Sequence, residues 1–339
     1  MLKGKKVLIT GGTGSLGQEL TKRLLKSDVD TIRIFSRNEH KQIEMASRFH
    51  SSRLRFFIGD VRDFSRLTRA LEDVDIVFHA AALKHVPIVE YNPFEAIKTN
   101  VIGSQNVIDA CLYENVEKAV CVGTDKAVSP LNTYGATKLL MEKLFVTAGN
   151  YLNKKRHQTK FIALRYGNVL GSSGSVVPLF IKQIRNGQKI TITDSKMTRF
   201  SITMNEALDF ILESTMLGRG SEVFIPKLKA YSIMDVKNVL FELLGKTGEI
   251  NSGIRFGEKL HESLINQDEL RYTWELDNKY VILQSSDVKN REKKIYTKIK
   301  KTKLVHAYSS DNVEKISKEQ LKETISLEVL PKLKSLNID

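Results

Sequence analysis

Two neighbouring groups of side chains in the middle of the chain have the types and spacing for proton-transfer chemistry. Tyr134 and Lys138 stand four residues apart in Tyr134-Gly-Ala-Thr-Lys138. Residues four apart on a helix share a face. An unperturbed tyrosine titrates at about 10 and a lysine at about 10.4. A nearby ammonium favours the phenolate and lowers the tyrosine value. The phenolate can then take a proton from a hydroxyl while hydride leaves the same carbon. The alternative is an ordinary surface pair. Just upstream stand Thr124, Asp125 and Lys126. An adjacent Asp and Lys are costly in a core. They are either a second acid/base pair or a surface salt bridge. Simple hydride transfer needs only the tyrosine, the lysine and an acceptor. A second pair implies a further proton-transfer event, such as elimination of water.

Hydride chemistry needs an acceptor, and the N-terminus carries a loop for one. Thr10-Gly-Gly-Thr-Gly-Ser-Leu-Gly17 follows an apolar run and opens a helical one. Gly11 permits a tight turn, Gly14 lets the backbone approach a diphosphate, and Gly17 lets helix and strand pack closely. Thr13, Ser15 and Leu16 complete the loop at a helix N-terminus, where free N–H groups favour an anion. A purely structural turn is the competing reading. After the second strand the chain reads Ser36, Arg37, Asn38, and then Lys41. An NAD site usually places a carboxylate there for the ribose hydroxyl. Ser36 and Arg37 suit a 2′-phosphate instead, so NADP is favoured over NAD. The alternative makes Arg37 a solvated loop residue. Asp60 and Val61 end the third strand and suit adenine contacts. Ala80, Ala81 and Ala82 end the fourth and leave room for the cofactor.

These residues need a scaffold that brings distant loops together. Apolar strands are predicted at Lys6–Thr10, Thr31–Phe35, Leu54–Ile58, Asp75–His79, Lys118–Val122 and Phe161–Tyr166. Helical spacing is predicted between them, at Ser15–Leu25, His40–Phe49, Ser65–Leu71, Phe94–Tyr113 and Tyr134–Ala148. Such alternation means an α/β fold: a Rossmann-type doubly wound parallel sheet. A smaller C-terminal α/β lobe is expected to hold the substrate. Residues 1–166 read as the NADP-binding domain and 167–339 mainly as the substrate lobe. That division leaves later strands free to rejoin the first sheet. Helices are predicted at Pro178–Arg185, Asn205–Leu217 and Ser232–Leu244, and a strand at Val223–Ile225. Beyond Gly245 the chain reads as irregular and polar.

Composition narrows the class. Of 339 residues, 41% are apolar and 27% charged, which suits one globular body and not a membrane protein. No run of eighteen apolar residues occurs and the N-terminus lacks a secretory pattern. A cytoplasmic enzyme without membrane insertion is expected. Cys111 and Cys121 sit in apolar runs and read as small buried hydrophobes. Net charge is 53 − 39 = +14. Part of the excess is local: 285–303 holds eight Lys/Arg against two acids. Neither zinc-ligand spacing nor a nucleic-acid motif accompanies it, so no metal and no nucleic-acid partner is expected.

The glycine loop with Tyr134 and Lys138 resembles the extended short-chain dehydrogenase/reductase family. More narrowly, several stretches resemble its inverting UDP-N-acetylglucosamine 4,6-dehydratases. They are Phe35–Glu39, Gly59–Asp63, His79–Pro87, Thr124–Lys126, Arg165–Asn168, Met197–Phe200 and Gly253–Glu262, with a weaker likeness at Tyr308–Asn312. Retaining sugar dehydratases carry Asp-Glu where this chain has Asp125-Lys126. The Lys form resembles enzymes that also invert C5. The resemblance implies that Tyr134 deprotonates the 4-hydroxyl while hydride passes from C4 to NADP⁺. Lys126 then removes the C5 proton and Asp125 protonates the departing 6-hydroxyl. Hydride returns to C6, and a proton to the opposite face of C5. The net reaction is that of a lyase on a UDP-sugar. The resemblance further implies that Lys84, His85, Asn168 and Val176 meet substrate, with Lys84 also near the cofactor. It places Arg199 and Arg255 on the diphosphate or uridine and Glu258 on a nucleotide hydroxyl. It also implies a homo-oligomer, dimer or hexamer. Some close relatives lack the tyrosine kept here as Tyr134, which favours enzymes of pseudaminic-acid-type pathways. Phe256 departs from a family proline, so a small local change in that loop is expected. Two rivals stand: a nucleotide-sugar 4-epimerase or reductase, which needs no Asp125 or Lys126, and a non-catalytic dinucleotide- or nucleic-acid-binding protein.

Overall fold

The computed structural model describes residues 2–331, except 151, 154, 173, 284–295 and 297. Most of the basic segment 285–303 thus lies outside the described residues. The strands are β1 (Lys6–Thr10), β2 (Thr31–Ser36), β3 (Leu54–Ile58), β4 (Ile76–His79), β5 (Lys118–Val122), β6 (Lys160–Leu164), β7 (Ile190–Ile192) and β8 (Thr198–Ser201). They continue as β9 (Glu222–Pro226), β10 (Lys229–Ser232), β11 (Glu249–Asn251), β12 (Ser263–Ile265), β13 (Thr273–Leu276), β14 (Lys279–Leu283), β15 (Lys300–Lys301) and β16 (Tyr308–Ser309). Ten of them form one sheet, in the order β15-β13-β14-β9-β6-β5-β4-β1-β2-β3. From β9 to β3 neighbours run parallel. Strands β14, β13 and β15 extend the β9 edge antiparallel.

The parallel strands are apolar almost throughout because helices cover both faces. Every residue of β5 and β9 is buried. Leu8, Val77 and Ala119 pack with Ile108, Phe145 and Phe161 on one side. Ile9, Phe78 and Val120 pack with Leu20, Leu24 and Ile211 on the other. Cys111 and Cys121 are fully buried in the first of these layers. A third apolar cluster, with Phe180, Val236, Leu240 and Leu321, holds the helices Val176–Arg185, Ile233–Leu244 and Lys318–Thr324 together. β7 and β10, from the small pairs β7–β11 and β8–β10, add Ile190, Ile192 and Tyr231 to it, while the pair β12–β16 packs Leu264, Ile265 and Tyr308 into the first layer. Among the described residues, no helix is long and apolar enough to cross a membrane.

Two sequence expectations need correction. The helix expected over Phe94–Tyr113 is divided into Pro93–Ala96, a wide π turn Ile97–Ile102, and Gly103–Tyr113. The π turn has a local purpose: it carries Asn100, which bonds both backbone groups of Leu83 and the Thr137 hydroxyl. A short helix Val86–Tyr91, with Pro87 in its first turn, precedes it. Beyond Gly245 the chain is not irregular. Among the described residues it supplies six strands, three of which extend the main sheet. Strands β13 and β14 are joined through Asp277 at φ +51, the left-handed geometry of tight hairpins.

The chain leaves β1 toward β2 and β3, then returns to β4 on the other side of β1. Loops at the C-terminal ends of β1 and β4 diverge there and open a crevice. Ligands of such sheets bind at this reversal.

Candidate active site

A cleft of about 1250 Å³ runs along those strand ends. Gly11, Thr13, Gly14, Ser15, Leu16 and Gly17 form one wall. Gly11 has φ +67, and a Cβ there would lie 2.9 Å from the Ala81 backbone. A Cβ on Gly17 would lie 2.5 Å from the Gly12 carbonyl oxygen. Larger residues at either position would push the loop off the sheet. Gly14 caps the helix Ser15–Leu25 without any side-chain bond, which leaves first-turn N–H groups for a ligand. This cradle fits the diphosphate of a dinucleotide.

A buried hydrogen-bond chain holds the loop against Ala81. The Ser104 hydroxyl donates to the Asn100 carbonyl at 2.6 Å. Ser104 therefore accepts from His79 Nε2–H at 3.0 Å. His79 Nδ1 is left to accept from the Thr10 hydroxyl at 2.7 Å, and Thr10 Oγ1 accepts from Ala81 N–H at 3.2 Å. Burial, reinforced by the Lys138 charge, pushes His79 down to about 3, so the ring stays neutral. Sequence reading saw His79 only as a strand end.

Ser36, Arg37, Asn38, Lys41, Asp60 and Val61 line the far end of the cleft. Ser36 is buried and its hydroxyl accepts from Gln42 Nε2. Asn38 Oδ1 accepts from Lys41 N–H and caps the helix Glu39–Phe49. Arg37 is exposed, with Nη1 3.8 Å from Asp60 Oδ2. Burial raises the Asp60 carboxyl, but bonds from Arg62 outweigh it and hold it below its ordinary range. Ala80, Ala81 and Ala82 form the floor.

At the reacting end, β5 stops at Val122 and Gly123 N–H donates to the Leu164 carbonyl. Thr124 follows in the cleft wall, then a single 3₁₀ turn Asp125–Ala127. The helix Thr133–Ala148 begins with Asn132 Oδ1 accepting from Gly135 N–H, and buries Tyr134, Lys138, Met141 and Phe145 on one face. Tyr134 and Lys138 both reach the cleft. Lys138 Nζ donates to the Val122 carbonyl at 2.7 Å. Burial pushes the Tyr134 phenol up to about 12; Lys126 and a Thr124 hydrogen bond pull it down, and Asp125 and Glu262 push it up. The sequence expectation gave Lys138 the task of favouring the phenolate. In the structure Lys126 is the cation that favours it most.

Behind Thr124 lies a buried charge cluster. Lys126 Nζ is 3.1 Å from Asp125 Oδ1, 3.1 Å from Asn168 Oδ1 and 3.3 Å from Glu262 Oε1. The Thr124 hydroxyl donates to Asp125 Oδ1 at 2.8 Å. Asp125 Oδ2 has no hydrogen-bond partner. Burial pushes the Asp125 carboxyl up; Lys126 opposes this, Glu262 adds to it, and the balance is upward. Burial disfavours the Lys126 ammonium, but Asp125 and Glu262 outweigh it and hold it above its ordinary value. The arrangement can hold a proton on an acid and pass one through a lysine at the edge of the cleft. Asp125 and Lys126 stand just behind the wall that Thr124 and Asn168 form, not in it.

Lys84, His85 and Asn168 line the cleft beside this cluster. Burial and the Lys126 charge lower Lys84 below its ordinary value. Val176, Arg199, Arg255 and Glu258 are not part of the cleft wall. Val176 starts its helix between Ser175 and Pro178 and packs on the third apolar cluster. Arg199 is buried, and its guanidinium donates to the carbonyls of Thr198, Leu260 and Lys259. Arg255 is exposed on a turn closed by Glu258 N–H and its own carbonyl. Glu262 was missed as a site residue, although its motif was recognised. The signal available was an acid next to His261 at the end of that motif. Among the described residues no group of three or more His, Cys, Asp or Glu is placed to hold a metal.

The chain is 48% identical over 319 residues to the UDP-N-acetylglucosamine 4,6-dehydratase (inverting) of Campylobacter jejuni, covering 92% of this chain and 94% of that protein. It is 40% identical over 330 residues to a UDP-glucose 4-epimerase of Rickettsia felis, covering 96% of each. The crystal structure of Pen from Bacillus thuringiensis superimposes with a TM-score of 0.88 at 39% identity, covering 97% of this chain and 98% of that one. The polysaccharide biosynthesis protein model matches residues 7–284, and with these relatives it establishes that the chain belongs to that family.

Proposed function

We propose that this protein converts UDP-N-acetylglucosamine to a 4-keto-6-deoxy sugar nucleotide by 4,6-dehydration, with inversion at C5. The Asp125–Lys126 pair beside Tyr134, with Asp125 fully buried and Lys126 partly so, carries this reading. A 4-epimerase, as the Rickettsia relative is named, has no step for such a pair. A nicotinamide dinucleotide bound along the cleft would supply the hydride acceptor for C4 and the hydride donor for C6. Gly11, Gly14 and Gly17 would hold its diphosphate, and Ala80 to Ala82 would make room for it.

Tyr134 takes the proton of the sugar 4-hydroxyl as C4 is oxidised, with the Lys126 charge favouring the phenolate. Lys126 passes its ammonium proton to Asp125, whose carboxyl burial raises; the 4-keto group acidifies the C5 hydrogen, and the freed Lys126 amine removes it. Asp125, raised by burial, protonates the departing 6-hydroxyl past Thr124. A proton drawn from solvent returns to C5 on the opposite face. Lys84, His85 and Asn168 position the sugar. Arg255 and Glu258 serve the nucleotide end, with Val176 beside it. Arg199 braces the 259–260 segment, since its donors are already used.

Incubation with UDP-N-acetylglucosamine in D₂O, without added reductant, tests this reading. Loss of one water with deuterium at C5 is expected by mass spectrometry and NMR, with an L-configured ring. Unchanged mass with appearance of UDP-N-acetylgalactosamine would mean a 4-epimerase instead.

The cofactor is proposed to be NADP, because Arg37 lines the far end of the cleft and no carboxylate ends β2. A hydrogen bond to a charged group contributes about 1.5–3 kcal/mol. Arg37→Asp should therefore weaken NADP⁺ binding by about tenfold or more and spare NAD⁺. Calorimetric titration of both dinucleotides decides it; equal losses for the two would remove Arg37 from phosphate recognition.

A further inference from the structure

We propose that Glu262 belongs to the acid/base centre, as a buried carboxylate that shares the Lys126 ammonium with Asp125 and whose charge sets the pH range in which that pair holds one proton. The proposal rests on the dehydratase reading. Glu262 is 3% exposed and Asp125 is fully buried. Their carboxylates approach the same nitrogen, Lys126 Nζ, at 3.3 and 3.1 Å. The backbone aims Glu262 inward: its N–H donates to Ser310 Oγ, and Ser310 N–H donates to its carbonyl.

The same protein contains a contrasting carboxylate pair. Around Arg165, both oxygens of Glu142 and both oxygens of Glu269 accept hydrogen bonds. Every acceptor in that structural network is satisfied. In the Lys126 cluster one oxygen of each carboxylate, Asp125 Oδ2 and Glu262 Oε2, has no partner. Buried polar atoms are rarely left so without a functional reason. Three cations act on Glu262: Lys126, Arg199 and Lys259. Arg199 is the most distant of the measured pairs, at 3.9 Å. Burial pushes the Tyr231 hydroxyl up to about 12, so it adds no charge; Tyr134 also faces the cluster and is charged only as the phenolate that takes the 4-hydroxyl proton. Lys84 acts on Lys126 from across the cleft, and Glu258 faces Arg199 at 3.7 Å.

Dehydration needs one proton shared by Asp125 and Lys126: the acid loaded and the base free. A third, negative group makes each of the pair's protons harder to remove. Removing that charge lowers both apparent values of the pair. For Glu262→Gln, both limbs of the kcat/KM bell for UDP-N-acetylglucosamine should move to lower pH by about one unit. Glu262→Asp draws the charge back by one methylene and should move the bell the same way by less. The cofactor-loaded, full-length protein is used, with thermal melting as a fold control. A glutamine variant with an unmoved bell, merely lower at every pH, would overturn the proposal while dehydration by the wild type leaves the parent reading intact. If the glutamine variant does not fold, an unmoved bell in the aspartate variant overturns it equally. No dehydration by the wild type would overturn both.

Discussion

Lys126→Ala is expected to lose nearly all product formation while the protein still binds its dinucleotide. Loss of a positioned base typically lowers a rate by about 10²–10⁴-fold. The glycine wall proposed to hold the cofactor lies apart from Lys126, between β1 and its following helix. The substitution also removes the cation between Asp125 and Glu262, both buried. Leaving two carboxylates uncompensated costs several kcal/mol unless one takes up a proton. Asp125, already raised by burial, is the group that does so. The variant is therefore expected to fold with reduced stability at neutral pH and to recover part of it as pH falls. Isothermal titration with the dinucleotide, with product assay by mass spectrometry, separates the two effects. Dehydration that persists in this variant would remove Lys126 from the chemistry.

Arg165→Leu is expected to be the most destabilising single change outside the cleft, by about 3–5 kcal/mol. Arg165 is fully buried and bonds Glu142 on the catalytic helix and Glu269 on the turn Asp268–Tyr272. It also donates to the Leu264 carbonyl in β12. One guanidinium thus ties the helix bearing Tyr134 to the segment that follows Glu262. Without it the buried Glu142 carboxylate loses its cation and the half-buried Glu269 keeps only the Asn266 N–H. Chemical denaturation of the apo-protein measures the loss, and Glu142→Gln with Glu269→Gln in the Arg165→Leu background should recover part of it. The pH dependence has a definite sign. Burial raises Glu269, but Arg165 outweighs this and holds its carboxyl below the ordinary range. Its contribution is full above the ordinary glutamate value, about 4.3, and is lost as pH falls through the depressed one. A variant with wild-type stability would mean that the network contributes nothing net.

The first 166 residues were legible because their signals are local. Apolar runs of four to six residues alternate with helical spacing, and caps such as Asn38, Asp63 and Asn132 stand where the helices begin. Parallel strands buried on both faces leave an unbroken apolar trace, which short sequence windows detect. The strands after Gly245 left no such trace. β11 is exposed throughout, β15 is two residues long, and β13 and β14 pair with segments tens of residues away. The π turn at Ile97–Ile102 was invisible for another reason. Its cause is the pair of bonds from Asn100 to Leu83, a contact across the cleft floor.

By itself the sequence determined the fold class, and it singled out the glycine loop and the side chains proposed to react. Those depend on residue type and on spacings of three or four along one element. Tertiary structure alone decided what each charged group faces. Arg199 donates not only to its neighbour Thr198 but also to two carbonyls about sixty residues away. Glu262 lies 136 positions from Lys126 and meets it only because the segment ahead of β12 is pinned beside β16 and Ser310. Proton affinities follow burial and the sum of nearby charges, and neither quantity exists until the chain has folded.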